Sequence, residues 1–362
     1  MKNILKHILL FINILAILTL LGAFLAPMVN PEKIPFFAFW GLILPYSLIL
    51  NILFIVFWIL KARLYFILSL LAIVLSWSTI KTSFPYHRTN EEVQQEGIKV
   101  LSYNVRVFDR YNWSKEKNTV SDMLRFIKAE KPDIICLQEF GTSKKGSDGV
   151  TEAFILNALK EYRHHYIHYA PNSLKTKHQQ GLAILSKYPI TSQGATGDLN
   201  LRHGCSIYAD IDFKTESIRI INSHFESIQF TNKYDIIQGI DGDNYKNRIK
   251  GAVGSINKAA IQHSTSAMEI NALVDATPSP VILCADMNNT PVSYSYHILN
   301  TYLDDAFLYQ GTGFGATYNG MYPFLRIDYI FYSKALDLTK YTRLKVKYSD
   351  HYPISAEFAL EQ

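Results

Sequence analysis

Among the residues of this 362-residue chain whose types bind a hard cation or move a proton, eight stand at an end of an expected secondary-structure element. They are Asn104, Glu139, His224, Asp286, Asn288, Asp328, Asp350 and His351. Four carboxylates at element ends supply oxygen ligands suited to magnesium or manganese. The two histidines suit proton transfer near neutral pH, and the two carboxamides suit hydrogen bonding to a phosphoryl group. The eight include no cysteine and no pair of histidines one helical turn apart, which disfavours zinc. Each residue also has a plainer reading. Asn104 can end a strand in a turn, Glu139 can be a salt-bridge partner or helix cap, and His224 can be a core or surface histidine. Asp328 can pair with Arg326 or Arg343, and Asp350 with His351 can form a solvated turn.

The stretch 281–291, Val-Ile-Leu-Cys-Ala-Asp-Met-Asn-Asn-Thr-Pro, shows the pattern most clearly. A β-rich apolar run predicts a buried strand, and Asp286, Asn288 and Asn289 then stop it ahead of a proline. An Asx turn capping a following helix accounts for the same residues, so this stretch alone leaves both readings open.

The elements that must position these side chains alternate in type. Strands are expected at 98–103, 134–137, 181–186, 206–213, 217–222, 281–285, 327–332 and 354–358. Helices are expected at 119–131, stopped by Pro132, at 153–162, and at 249–274, where apolar residues recur at helical intervals. Such a mixture predicts a layered α/β domain, whose ligand sites gather where strand ends meet. The segment 226–247, with Phe230, Tyr234 and Tyr245 among Lys233, Lys246 and the adjoining Arg248, is either a specificity loop or an ordinary polar connector. Tyr318, Tyr322 and Phe324 either line the cleft or belong to the core.

Composition divides the chain. Residues 8–26, 35–60 and 64–80 are apolar runs without an internal charge, each about the length that crosses a ~30 Å hydrocarbon core, with Trp40, Trp58 and Trp77 among them. The first run is long for a signal peptide, and two more follow it. The expected organisation is therefore a three-helix membrane anchor over 1–81, a polar linker over 82–97 and a catalytic domain over 98–362. Lys2, Lys6, Lys61 and Arg63 flank the spans in the pattern that places the N-terminus and second loop in the cytoplasm. The domain after the third span is then expected on the periplasmic side of a bacterial-type inner membrane. After residue 96 the chain carries 29 basic and 27 acidic residues, too balanced for a dedicated nucleic-acid binder. Cys136, Cys205 and Cys284 show no disulfide or zinc spacing, and apolar surroundings make them poor nucleophiles.

Seven segments, in order, resemble the endonuclease/exonuclease/phosphatase superfamily. They are Leu101-Ser-Tyr-Asn104-Val, Pro132-Asp-Ile-Ile-Cys-Leu-Gln-Glu139, Gly181-Leu-Ala-Ile-Leu-Ser-Lys-Tyr-Pro-Ile190, Asn222-Ser-His224, Asp286-Met-Asn288, Arg326-Ile-Asp328-Tyr-Ile and Ser349-Asp350-His351-Tyr-Pro-Ile. The resemblance implies a four-layer αββα sandwich that hydrolyses phosphoesters with Mg2+ or Mn2+. It implies that Glu139 holds the metal with help from Asn104 and Asp350, and that Asp286 orients or deprotonates the attacking water. It also implies that Asn288 binds a phosphate oxygen, that His224 and His351 donate to phosphoryl oxygens or transfer protons, and that Asp328 fixes the tautomer of His351. A carboxylate partner for His224 is expected in nuclease-like members, yet the region before Gly181 reads His178-Gln179-Gln180. Three readings follow: a nucleic-acid phosphodiesterase, a lipid head-group phosphodiesterase or phosphatase, and a non-catalytic binding module. The expected partners are a phosphoester substrate, nucleic acid or phospholipid, and the bilayer itself; no protein partner is indicated.

Overall fold

The computed structural model describes residues 2–86, 97–114, 118–144, 149–200, 204–214, 216–228, 242–320 and 324–359. Two compact units result. One comprises Met1–Phe84, Ser227–Ser264 and Asn289–His297, and the other comprises Pro85–Glu226, Thr265–Asn288 and Ile298–Gln362.

The first unit opens with α1 (Lys2–Leu25), α2 (Phe37–Leu60), α3 (Phe66–Leu75) and α4 (Trp77–Ser83). Among the described residues two helices, Ile4–Met28 and Phe37–Leu60, are long and apolar enough to cross a membrane. The expected third span is instead the bent pair α3 and α4, which meet at 64° around Ser76. Polar side chains tie the helices together. Asn13 donates to Ser69 Oγ (2.7 Å) and accepts from Trp58 Nε1 (2.9 Å), and Asn51 donates to the carbonyl of Ala16 (2.9 Å). Such polar interhelical bonds are the kind that hold apolar helices together where the hydrophobic drive is weak. Val292 buries its side chain among Leu20, Ala23, Leu44, Ala72 and Ile80. A Cβ at Gly41 would lie 2.6 Å from the Val292 carbonyl oxygen, so only glycine permits that approach.

The second unit holds β1 (Gly97–Asn104), α5 (Thr119–Glu130), β2 (Ile134–Ser143), α6 (Glu152–Ala158), β3 (His164–Tyr169), β4 (His178–Ser186), β5 (Ile190–Gly197), β6 (Cys205–Phe213) and β7 (Glu216–His224). After these, α7 (Gly242–Asp275) begins in the first unit and ends in the second. There follow β8 (Val281–Asp286), α8 (Tyr294–Tyr302), β9 (Asp304–Asp305), α9 (Ala306–Gln310), β10 (Asp328–Tyr332), β11 (Asp337–Arg343) and β12 (Ile354–Ala359). The strands form two six-stranded sheets, in the orders β11-β12-β1-β2-β4-β3 and β5-β6-β7-β8-β10-β9.

Alternation along the strands builds the layers. Val100, Ile134, Cys136 and Ile184 of the first sheet meet Ile207, Ile220, Cys284 and Ile330 of the second in one buried core. The opposite faces of β1 and β2, with Leu101, Tyr103, Ile135 and Leu137, are covered by Met123, Leu124 and Ile127 of α5 and Ile155 of α6. The helix α5 stops at Lys131, whose left-handed φ of +50° precedes Pro132. This is the expected sandwich of two sheets with helices outside. All three cysteines are buried thiols; burial pushes Cys205 up to about 12 and raises Cys136 well above the ordinary thiol range.

Four strands that sequence patterning does not reveal, β3, β5, β9 and β11, are the four sheet edges. Edge strands bury little and carry polar residues, so their segments never show an apolar run. Residues 87–96 of the expected linker and 229–241 of the expected specificity loop lie outside the described residues.

Candidate active site

On the first sheet, β1 ends at Asn104, which is in register with Gln138 on the parallel strand β2. The pairing of β2 with β4 slips between Leu137 and Phe140, and Glu139 within that slip has φ +48°. The irregularity re-aims the glutamate out of the ladder, leaving its side chain 23% exposed. The segment before β12 docks on the end of β1, where Ser349 Oγ donates to the Asn104 carbonyl (2.9 Å). Asp350 follows, 3.2 Å from Arg106 Nε, while the Arg106 backbone N–H donates to Asn104 Oδ1 (2.9 Å).

On the second sheet, register does the positioning. His224 on β7 and Asp328 on β10 are both Cα partners of Asp286 on β8. A histidine and two aspartates thus stand side by side across three strands. Asn288 is held at φ +47° by donating its N–H to Asp286 Oδ1 (3.0 Å) and its side-chain amide to the Phe225 carbonyl (3.0 Å). The Asx turn read at 281–291 is present, but it does not cap the next helix, where Ser293 Oγ accepts from the Tyr296 backbone N–H (3.2 Å); instead the turn places Asn288 3.4 Å from His224 Nε2.

The two sheets meet at Asn104, whose amide donates to Asp286 Oδ2 (2.8 Å) and lies 3.3 Å from Glu139 Oε1. His224 Nε2 is 3.6 Å from Glu139 and 3.7 Å from Asp286. The acids beside His224 Nε2 are thus Glu139 and Asp286, both of the predicted site. His351 Nδ1 lies 2.9 Å from Asp328 and 3.8 Å from Asp286. Asp328 pairs with neither of the arginines considered for it: Arg326 meets Asp305 (2.5 Å), and Arg343 donates to the Ala316 carbonyl. The structure therefore brings all eight residues together, Asp350 joining through Arg106 and Ser349.

Burial sets the electrostatics. Asp286 is fully buried, and desolvation raises its carboxyl above the usual range, although His351, His224 and the Asn104 hydrogen bond pull it down. Burial disfavours charging of His351, yet Asp328 and then Asp286 outweigh it and hold the imidazole well above its ordinary value. The closer contact makes Asp328 the charge partner of His351. Asp286 is left as a carboxylate of raised basicity.

Several contributors carry no legible signal. Gln138 Nε2 donates to Asn222 Oδ1 (2.7 Å) and Ser102 Oγ (3.0 Å), and Asn222 Nδ2 donates to the carbonyls of Leu137 and Ala183 (2.9 Å each). This buried network joins the sheets directly behind Glu139 and His224. Asn222 stands in a matched segment, but its type gives no hint of that role; Arg106 and Ser349 read as loop residues. Tyr318 bridges to His351 along the backbone and packs edge-on against its ring at 5.6 Å, while Phe324 packs on Phe314 and Tyr322 lies outside the described residues.

Two groups of donors bear on cation binding. Asp286, Asp328 and His351 place ligand atoms within 4.8 Å of one another. In that trio the histidine nitrogen is already occupied by Asp328. Glu139 and Asp350 are partly exposed carboxylates on either side of Asn104, oxygen donors of the kind hard divalent cations prefer, although Arg106 pairs with Asp350 and donates its backbone N–H to Asn104 Oδ1.

A scan against protein families matches residues 101–351 to the Endonuclease/Exonuclease/phosphatase family and residues 6–83 to a domain of unknown function. A search of curated proteins returned no match. Among solved structures, an endonuclease/exonuclease/phosphatase from Bacteroides vulgatus superposes with TM-score 0.54 at 16% identity, covering 74% of this chain and 100% of that one. One from Beutenbergia cavernae gives 0.53 at 17% identity, covering 74% and 72%. The human nocturnin catalytic domain with bound sulfate gives 0.51 at 17% identity, covering 75% and 96%. These likenesses show a shared fold, and the family match spans the strand ends that carry all eight site residues. From Leu101 to His351 the chain belongs to the endonuclease/exonuclease/phosphatase family.

Proposed function

We propose that this chain is a membrane-anchored, divalent-metal-dependent phosphodiesterase, endonuclease-like in its site, that works outside the cytoplasm. The observation that carries the reading is Asp286: a fully buried carboxylate held by Asn104 and Asn288, flanked in register by His224 and Asp328, at the meeting point of two sheets. Magnesium or manganese would be held by Glu139, Asn104 and Asp350, and such an ion neutralises charge developing on phosphoryl oxygens. The chain's own groups do the rest. Asp286 orients the attacking water and takes its proton as the new oxygen–phosphorus bond forms, while the bond from phosphorus to the ester's leaving oxygen breaks and that oxygen takes a proton supplied by His351 or His224. Asn288 donates its amide to a phosphoryl oxygen. Asp328 occupies Nδ1 of His351 and leaves Nε2–H as a donor, and His224 presents Nε2 beside Glu139 and Asp286. The sulfate in the nocturnin neighbour is an anion of phosphate-like shape on the same fold.

The apolar helices support a second reading, a lipid head-group phosphodiesterase or phosphatase, because an anchor holds a site near head groups. The test uses the purified full chain in detergent with DNA, RNA, sphingomyelin, phosphoinositides and a generic diester. Hydrolysis is expected only with Mg2+ or Mn2+. Full activity in excess chelator, or undiminished activity in Asp286→Ala, would sink the mechanism, and turnover of lipid alone would select the second reading.

A further inference from the structure

The loop between β1 and α5 is held in a costly conformation. Arg106, Val107, Phe108 and Asp109 all have φ between +47° and +52°, a region L-residues avoid and β-branched valine avoids most. Consecutive strain of this kind persists only where the surroundings impose it. Here they do. Val107 and Phe108 are buried, Gly141 makes room for Val107, and Phe108 packs edge-on to Phe140 at 5.6 Å. Asp109 closes the loop by accepting from the backbone N–H (3.2 Å) and hydroxyl of Ser114.

The pinned loop presents Arg106, Tyr111 and Trp113. The guanidinium lies 4.0 Å over the Trp113 ring, and that ring is 4.8 Å from Tyr111. The two rings are 44% and 63% exposed, so core packing does not account for them. Arg106 meanwhile touches both Asn104 and Asp350, which puts Trp113 one side chain away from two site residues.

We propose that Arg106, Tyr111 and Trp113 form a recognition ledge for the group esterified to the phosphate, and that this group carries a nucleobase. The proposal rests on the phosphoester reading above. Exposed aromatic faces suit a flat π-system whatever its sequence, and an arginine on the same ledge suits the attached phosphate. Glycerol offers no flat ring to stack.

The test is calorimetric titration of the full chain in detergent and Mg2+ with adenosine monophosphate, adenosine and inorganic phosphate. The monophosphate should bind at least about tenfold more tightly than inorganic phosphate. Trp113→Ala should remove about tenfold of that affinity while phosphate binding is kept, and Trp113→Phe should retain most of it; far-UV circular dichroism confirms that the variants fold. Equal affinity for the monophosphate and phosphate in the wild type overturns the ledge. So does an equal loss of both ligands in Trp113→Ala, or weaker binding to anionic vesicles with nucleotide affinity unchanged, which would make the loop a membrane contact. Failure of the phosphoester reading looks different: neither phosphate binds and no ester is cleaved, while adenosine still reports the ledge through its dependence on Trp113.

Discussion

Asp328 holds His351 from behind, its two carboxylate oxygens 2.9 and 3.1 Å from Nδ1 with both side chains buried. One contact thereby fixes the ring, assigns the proton to Nδ1 and leaves Nε2 for the reacting group. It also keeps the imidazole charged further into the alkaline range than a free histidine.

The first prediction is therefore a bell-shaped pH profile for kcat/KM. The acid limb, set by Asp286, should lie above the ordinary carboxylate range because burial raises that group. The alkaline limb, set by His351, should lie well above the ordinary histidine value. Asp328→Asn should cut activity about 100-fold and move the alkaline limb to lower pH. Stability follows the same sign: a raised histidine stabilises fully below its unfolded value near ~6.5 and loses that contribution as pH rises through the folded value. The Tm gap between wild type and Asp328→Asn should thus be wider at pH 6 than at pH 10. An alkaline limb that does not move would remove Asp328 from this role.

Glu139→Gln separates the two possible metal sets. If Glu139, Asn104 and Asp350 hold the ion, the Mn2+ dissociation constant measured by calorimetry should rise at least about tenfold, with a parallel rise in the Mg2+ needed for half-maximal activity. Should the ion sit instead among Asp286, Asp328 and His351, Glu139→Gln would leave Mn2+ affinity in place and Asp328→Asn would abolish it.

Asn222→Ala tests the network between the sheets. The change removes the donor to Leu137 and Ala183 and the acceptor for Gln138, leaving several buried polar groups unsatisfied. A loss of about 2–4 kcal/mol is expected in urea denaturation, since each orphaned group costs about 1–3. Activity at a permissive temperature should fall as well, because Gln138 adjoins Glu139 and Asn222 lies two residues before His224.

What the sequence made legible follows burial. Central strands such as β2 and β8 open as runs apolar on both faces and announce themselves, and the polar residue that interrupts or ends the run stands out against it. Edge strands β3, β5, β9 and β11 offer no such contrast. At the site, Asp286 and His351 are legible because an acid or histidine at the mouth of a buried run has few structural excuses. Arg106 and Ser349 are not, because their importance lies in contacts with Asn104 and Asp350 that only the folded chain creates. The fate of Asp328 shows the same limit: Arg326 is two residues away in sequence, yet it turns to Asp305, and His351, 23 positions on, takes its place.

The last prediction concerns sidedness, which turns on the kink at Ser76. Helices α3 and α4 have 10 and 7 residues. At 1.5 Å per residue and a 64° bend, the pair reaches only about 22 Å, short of a ~30 Å core. A crossing then needs local thinning of the bilayer, with Lys81 reaching back to the far interface. If the pair crosses, three spans carry the family domain out of the cytoplasm; if it re-enters, two spans return the domain to the side of Lys2. Lys61 and Arg63 precede the kink and are expected in the cytoplasm either way. A reporter active only outside the cytoplasm, fused after Gln362, should be active, and the same reporter after Arg63 should be silent. Silence at both positions would mean that the bent pair turns back, and the catalytic site would then have to find its phosphoesters in the cytoplasm.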